Sequence, residues 1–237
     1  VAVGNRNNKL QVFRLRPDGS LDPDFGLGGL VTIGDAIGSS YDGHSIIVDP
    51  DGRIVVAGSR NYRSLLVARL EATGALDLTF GTGGIFVASE SVDAGNHMAR
   101  IARVAGGYRV TGHGPTTPAT GGSPSTCKVF GLTATGALDA GFGTAGIAAA
   151  PTPGDKPRNC SSLAVQGDGR ILLGGRDPDA GDGYLGRLLP NGTPDSSFHV
   201  DQIAAQMSAV TALGVSSGGS IFVAGHDRSG LSGALVV

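Results

Sequence analysis

The sequence contains no tryptophan and only two cysteines, and charged residues make up just 16% of its 237 residues. Lys and Arg number 18 against 20 Asp and Glu, so the chain lacks the cationic surplus that neutralises phosphate groups or anionic lipid. We therefore expect no nucleic-acid partner. No apolar run is long enough to cross a bilayer as a helix, so we expect no membrane insertion either.

Residues that favour exposed helix surfaces are also scarce, because the chain has only two Glu and three Lys. Glycine is instead abundant, with 41 residues, and hydrophobic residues make up 40% of the chain. This composition is typical of a folded protein with many tight turns rather than of a disordered chain. It predicts an all-β fold.

One connector occurs four times, as RPDGSLDPDFGLGG, EATGALDLTFGTGG, TATGALDAGFGTAG and LPNGTPDSSFHVDQ. The four copies span about 16–29, 71–84, 133–146 and 189–202. A repeat of this length indicates a propeller or a solenoid.

Between the connectors, short segments of alternating hydrophobicity predict β-strands. In the second repeat HSIIVDP, RIVVAG, SLLVARL and GIFVA give four strands, which make one propeller blade. The VAG-like second strand occurs five times, so we predict one domain over 1–237, a five-bladed β-propeller of four-stranded antiparallel blades. The first blade lacks its opening strand and the last lacks its closing strand. Either the two ends share a blade region that closes the ring, or further residues precede Val1, which the start in mid-repeat favours.

The pairing of DGSLDxxFGxGG with DGRIVVAG closely resembles the delta-60 repeat, a bacterial family also described as a β-propeller domain of unknown function. The blade layout is similar to that of NHL propellers. The resemblance covers essentially the whole chain, although the last copy has Pro194 in place of Leu and His199 in place of Gly. It implies the propeller fold and export from a bacterial cell, to the periplasm or the extracellular space. It implies no activity.

Each connector carries an Asp and a Phe at fixed distances from its first glycine. Strands in a blade alternate in direction, so all the connectors lie on one face of the predicted propeller, the connector face. We expect each Phe to pack between blades and each Asp to cap amide groups of its turn, which are structural roles. Three repeats also place an Arg for pairing with that Asp, whereas the third has Gly131 there. The structural set comprises Asp22, Phe25, Asp77, Phe80, Asp139, Phe142, Asp195 and Phe198.

Loops on the opposite, variable face differ in length and composition between blades, so we expect binding there. Imidazole and carboxylate groups are common ligands of transition metals, and one hypothesis is a metal or substrate site near the propeller axis. The alternative is a set of solvated loop residues spread over several blades. The candidate residues are His44, His97, His113, Arg176, His226 and Asp227.

The loop DPDAGDG suggests a calcium site formed by Asp177, Asp179 and Asp182. The third acid comes one position late for EF-hand-like spacing, so a plain Asp/Gly turn is the alternative. No nucleophile elbow, HExxH motif or P-loop occurs in the sequence, and we assign no catalytic residue.

Cys127 and Cys160 are predicted on the variable face of neighbouring blades. In an exported protein they would bridge blades three and four, and the alternative is two unpaired, half-buried thiols.

We therefore expect a non-catalytic binding or scaffold module of an exported bacterial protein, which recognises a glycan or a protein through the variable face. With four Tyr and no Trp, the aromatic surface available for sugars is small. One alternative is a hydrolase or lyase with a His/Asp site, metal-dependent or not, at the propeller axis. Another is a structural ring within a larger surface protein.

Overall fold

The structure is a computed structural model that describes residues 1–34, 39–88, 99–115, 125–151, 159–177, 180–198, 206–227 and 232–236. Within these residues, seventeen β-strands form five antiparallel sheets. Each sheet consists of strands that follow one another along the chain. None of these residues belongs to a helix long and apolar enough to cross a membrane.

The five sheets follow one another in chain order. The first contains β1 (Ala2–Arg6), β2 (Lys9–Phe13) and β3 (Leu30–Ile33). The second contains β4 (Tyr41–Val48), β5 (Ile54–Arg60), β6 (Ser64–Leu70) and β7 (Ile85–Val87). The third contains β8 (Ile101–Val104), β9 (Gly107–Pro115), β10 (Ser125–Thr133) and β11 (Ile147–Ala149). The fourth contains β12 (Asn159–Val165), β13 (Ile171–Asp177) and β14 (Asp182–Leu188), and the fifth β15 (Met207–Val215), β16 (Ile221–Asp227) and β17 (Ser232–Val236).

The all-β prediction is confirmed, and the second and third sheets have the predicted four strands. The other three sheets show three strands each in the described part of the chain, so five complete four-stranded blades are not seen. Substantial contacts between described strands join each sheet to the next, and none joins the fifth sheet to the first. How the ring closes and whether 1–237 is one domain therefore stay predictions.

The core lies between successive sheets. The central strands β5 and β6 are buried along almost their whole length, because each of their faces packs against a neighbouring sheet. Between the second and third sheets, for example, Val55 and Val67 pack with Phe80, Tyr108 and Val110. Similar clusters fill the other three junctions.

Successive connectors are joined by their backbones on the connector face. The amide that follows each buried Phe donates to a carbonyl of the next connector, as in Gly81 to Thr135 at 2.8 Å. The glycine after that carbonyl lies against the preceding Phe ring. A Cβ atom added to Gly136 would lie 2.8 Å from both the Gly81 nitrogen and the Phe80 ring. Only glycine fits this joint, which explains why the connector recurs.

The glycine joint can be tested with two matched alanine variants. Gly19 and Gly136 occupy the same connector position and both have positive φ, +85° and +78°, but a Cβ at Gly19 would meet no atom within 4 Å. Gly19→Ala should therefore lower the free energy of unfolding only by the conformational cost, about 1–2 kcal/mol. Gly136→Ala should lower it by about 1–3 kcal/mol more, because of overpacking. Urea denaturation measures both losses of unfolding free energy. Equal losses in the two variants would contradict the steric explanation of Gly136.

Candidate functional site

The polar residues of the connectors form a repeated unit of Asp, Arg and Phe. In the second repeat, Asp77 accepts hydrogen bonds from Arg69 Nε at 2.7 Å and from the Thr79 amide at 3.0 Å. The Arg69 guanidinium lies 4.8 Å from the centre of the Phe80 ring. The carboxylate therefore both closes its turn and holds the cation that covers the ring.

The first and fourth repeats contain the same unit. Arg14 donates to Asp22 at 2.7 Å, and Arg187 donates to Asp195 at 2.9 Å. Both guanidinium groups lie over the Phe ring of their own connector, at 4.9 and 4.2 Å. The unit thus has the same contacts in the first, second and fourth repeats of the connector face.

The third repeat obtains its arginine from the neighbouring strand. Gly131 replaces the usual Arg, and Arg109 lies directly opposite it on β9. Arg109 donates to Asp139 at 3.1 Å and lies 4.2 Å from the centre of the Phe142 ring. The third repeat therefore keeps the same contacts with an arginine from a different position.

Hydrogen bonds lower the pKa of the connector carboxylates Asp22, Asp77 and Asp195. The pKa of Asp195 is lowered from 3.8 to about 2, chiefly by the hydrogen bond from the Ser197 hydroxyl at 2.6 Å and also by Arg187. A carboxylate with so low a pKa is a poor proton donor or acceptor near neutral pH. Asp195 is therefore suited to a structural role in its turn.

A cleft of about 670 Å³ opens on the connector face between the third and fourth sheets. In the third sheet, a two-residue turn joins β8 to β9, and Gly107 follows this turn. In the second sheet, the turn between β4 and β5 is longer and ends in Arg53, so the position of Arg53 is taken by Gly107 in the third sheet. The charged side chains that line the cleft are already paired within the protein. Arg103 contacts Asp49, Arg109 contacts Asp139, and Asp168 contacts Arg170. The cleft thus follows from departures from the repeat, and we assign no ligand to it.

The predicted histidine and carboxylate site is not assembled by the described residues. His44 lies at a bulge in β4, where its Nδ1 accepts the Ala99 amide at 3.4 Å. His226 and Asp227 lie on β16 of the fifth sheet, which makes no substantial contact with the second sheet in the described part of the chain. Arg176 lies opposite Asn159 in the fourth sheet.

Two of the predicted residues cannot be placed on any surface. His97 lies outside the described residues, and only the backbone of His113, in β9, is described. Across the described ranges, no group of three or more His, Cys, Asp or Glu side chains is arranged to hold a metal ion. The transition-metal hypothesis therefore gains no support from these residues.

The acidic loop of the fourth sheet has a turn geometry. Asp177 and Asp182 are paired across the β13–β14 hairpin. The Asp177 side chain accepts the Ala180 amide at 3.1 Å, and its carbonyl accepts the Gly181 amide at 2.9 Å. Asp179 lies outside the described residues, so the calcium hypothesis stays untested while the bonds seen are those of an Asp/Gly turn.

The two cysteines form a disulfide bond. The Cα atoms of Cys127 and Cys160 are 5.6 Å apart, and both side chains are buried. The bond joins β10 of the third sheet to β12 of the fourth, which is the bridge between neighbouring blades that the sequence left open.

Two hairpin tips meet on the variable face between the first and second sheets. Asn8 accepts the Tyr41 amide at 2.9 Å, and the Ser40 carbonyl accepts the Asn61 amide at 2.7 Å. The Asn61 side chain in turn accepts the Ser40 amide at 2.9 Å. Both tips are therefore fixed to the start of β4. We call residues 6–9 and 60–63 the hairpin-tip surface.

Tyr62 occupies an unfavourable backbone conformation at the second tip. Asn61 and Tyr62 have φ angles of 54° and 55°, in the left-handed region, and the Arg63 amide donates to the Arg60 carbonyl at 3.1 Å. Asparagine tolerates this region, but a bulky residue there is a genuine outlier, and glycine would be favoured at such a turn. The Tyr62 side chain is 42% exposed. The chain thus accepts backbone strain where it presents an aromatic ring.

Polar groups surround the base of these tips. Buried Asp42 accepts hydrogen bonds from Asn5 and from the Ser40 hydroxyl, the latter at 3.3 Å. The Arg60 guanidinium lies 5.6 Å from the centre of the Tyr41 ring. Our sequence interpretation did not single out Tyr62 as a contact residue. An aromatic residue within the polar turn RNYR between two strands was the feature that could have identified it.

The lowered pKa of Asp195 predicts a pH dependence of stability. A carboxylate whose pKa is lower in the folded than in the unfolded chain stabilises the fold above its ordinary pKa, 3.8, and this stabilisation is lost as the pH falls through about 2. Asp195→Asn should therefore lower the unfolding free energy at neutral pH, and its deficit relative to the unmodified protein should shrink between those two pH values. Urea denaturation across that range measures the deficit. A difference in unfolding free energy that does not change with pH would contradict the lowered pKa of Asp195.

Comparison with known proteins supports the propeller fold. Residues 1–25, 50–80 and 166–198, fewer than half of the chain, match the family described as "Domain of unknown function (DUF5122) beta-propeller". No curated protein matches the chain. A crystal structure of an exo-1,5-α-L-arabinanase from a bovine ruminal metagenomic library aligns with 99% of this chain and 76% of its own, at 12% identity and a TM-score of 0.36. That alignment is too loose to carry an argument. The family match and the successive antiparallel sheets together support a β-propeller domain of unknown function.

Proposed function

We propose that this chain is a non-catalytic binding module of an exported bacterial protein, and that it recognises a glycan through the hairpin-tip surface of its variable face. The observation that carries the proposal is Tyr62, a half-exposed aromatic ring held in the left-handed region at a hairpin tip. Strained residues of this kind cluster at ligand-binding positions, where the surrounding structure maintains them.

The chemistry of the hairpin-tip surface suits a sugar. A tyrosine ring offers an apolar face to the C–H groups of a pyranose and a hydroxyl group at its edge. The two tips also carry Asn7, Asn8 and Asn61, whose side chains contain amide groups. A few directed polar groups around an aromatic surface are what fix the orientation of a small polar ligand.

The connector face supports the same assignment indirectly. Its Asp, Arg and Phe side chains pair with each other at every junction, as Asp77, Arg69 and Phe80 do. These groups are engaged in holding the sheets together and repeat from sheet to sheet. The side chains that differ between repeats lie on the variable face. We expect recognition of one particular ligand there, because it requires groups that are not repeated in every sheet.

Protein recognition through the same tips is the competing outcome, and a structural ring within a larger surface protein is compatible with either. An enzymatic site at the axis has no supporting observation, since His44 and His226 lie on sheets without substantial contact in the described part of the chain. We propose no cofactor.

Substitutions of Tyr62 test the proposal. Tyr62→Gly removes the ring and relieves the strain, so the unfolding free energy should rise by about 1 kcal/mol. Affinity for the glycan, identified on a glycan array and measured by calorimetry, should fall roughly tenfold or more through loss of the aromatic contact. Tyr62→Ala should lose the same affinity without the gain in stability.

Phe222→Ala is the matched control, because Phe222 is an exposed ring at 45% on the fifth sheet. It should leave glycan binding unchanged. Undiminished binding by Tyr62→Gly would overturn the proposal, as would an array without any bound glycan.

A further inference from the structure

The hairpin-tip surface carries four basic residues in two similar arrangements. Arg6 and Lys9 form the cross-strand pair that encloses Asn7 and Asn8 at the first tip. At the second tip, Arg60 and Arg63 enclose Asn61 and Tyr62. In both tips, two basic residues flank a central pair, which is Asn-Asn in the first tip and Asn-Tyr in the second. Hydrogen bonds to residues 40 and 41 hold the two tips side by side.

Among the described residues, the acidic residue next to these tips is bonded to neutral side chains. Asp42 is only 5% exposed and accepts hydrogen bonds from Asn5 and Ser40. Arg6, Lys9 and Arg63 form no ion pair within the described residues. Three cationic groups of this surface are thus available to an external anion.

This arrangement differs from that of the arginines on the connector face. There arginines contact carboxylates of the protein, and the paired arginines are Arg14, Arg16, Arg53, Arg69, Arg103, Arg109, Arg170 and Arg187. The chain as a whole has a formal net charge of −2, so a local excess of unpaired cations is not a consequence of its composition. It is a property of these two tips.

Resting on the proposed glycan-binding function, we infer that the ligand is an acidic polysaccharide, with carboxylate or sulfate groups bound by Arg6, Lys9 and Arg63. A guanidinium group presents several donors to anionic oxygens, which makes arginine well suited to such groups. Tyr62 contacts a sugar ring between them. A single ring between the cations fits a pyranose chain better than a nucleic-acid strand, which needs a row of stacking platforms.

The test compares polymers that differ only in charge. Polygalacturonate and its methyl-esterified form share a backbone, as do dextran sulfate and dextran. Calorimetry at two salt concentrations should show binding to polygalacturonate or dextran sulfate that weakens as salt rises, and at least tenfold weaker binding to the neutral partner. The anionic polymer that binds identifies the charged group as carboxylate or sulfate.

Charge-neutral variants assign the contact residues. Arg6→Gln and Arg63→Gln together should weaken binding of the anionic polymer at least tenfold and reduce its salt dependence. Arg16→Gln, which removes a half-exposed arginine on the connector face, should leave both unchanged. Thermal melting verifies that each variant remains folded.

The two proposals fail in different ways. Equal, Tyr62-dependent binding of charged and neutral polymers would overturn the acidic ligand and keep the glycan-binding function. Binding of neither kind of glycan would overturn both proposals. Oligothymidylate that displaces the acidic polymers at lower concentration would overturn the choice of a glycan over nucleic acid.

Discussion

The close approach of one connector to the next is the constraint on which the rest of the structure depends. Gly136 lies so near Phe80 and Gly81 that no Cβ atom fits, and two of the other three junctions repeat this contact, at Gly74 and Gly192. A joint that admits only glycine fixes the distance between neighbouring sheets. The loops at the opposite ends of the strands do not take part in this contact and can differ between repeats.

The third repeat shows that the joint requires an interaction and not a particular residue position. Asp139 keeps an arginine although its own strand offers Gly131, because Arg109 reaches it from the opposite strand. Restoring the usual arginine at position 131 would bring a Cβ atom within 2.8 Å of Phe142. Positions 109 and 131 therefore constrain each other, because an arginine at either position would contact the same carboxylate, Asp139, and the same ring, Phe142.

The sequence predicted those features that depend on local spacing, and missed those that depend on three-dimensional placement. Connector period, strand order and the roles of Asp77 and Phe80 all follow from short-range patterns. The closure of the ring does not, because strand contacts across the ring have no local pattern. The bond between Cys127 and Cys160 stayed open because the sequence contains no Cα separation. The left-handed conformation of Tyr62 was missed, since its residue type argues against it.

Strain at Tyr62 and unpaired charge at its neighbours are consistent with one another. Both lie at the same two hairpin tips. The connector face instead pairs its charges and gives its left-handed turn positions to glycine, except at Ala145, in the described part of the chain. Natural proteins depart from locally favourable choices mainly at functional sites. Two independent departures lie at one surface: an aromatic ring in an unfavourable conformation, and the cations of Arg6, Lys9 and Arg63, which form no ion pair with the described residues. Both are what a ligand with sugar rings and negative charges would require.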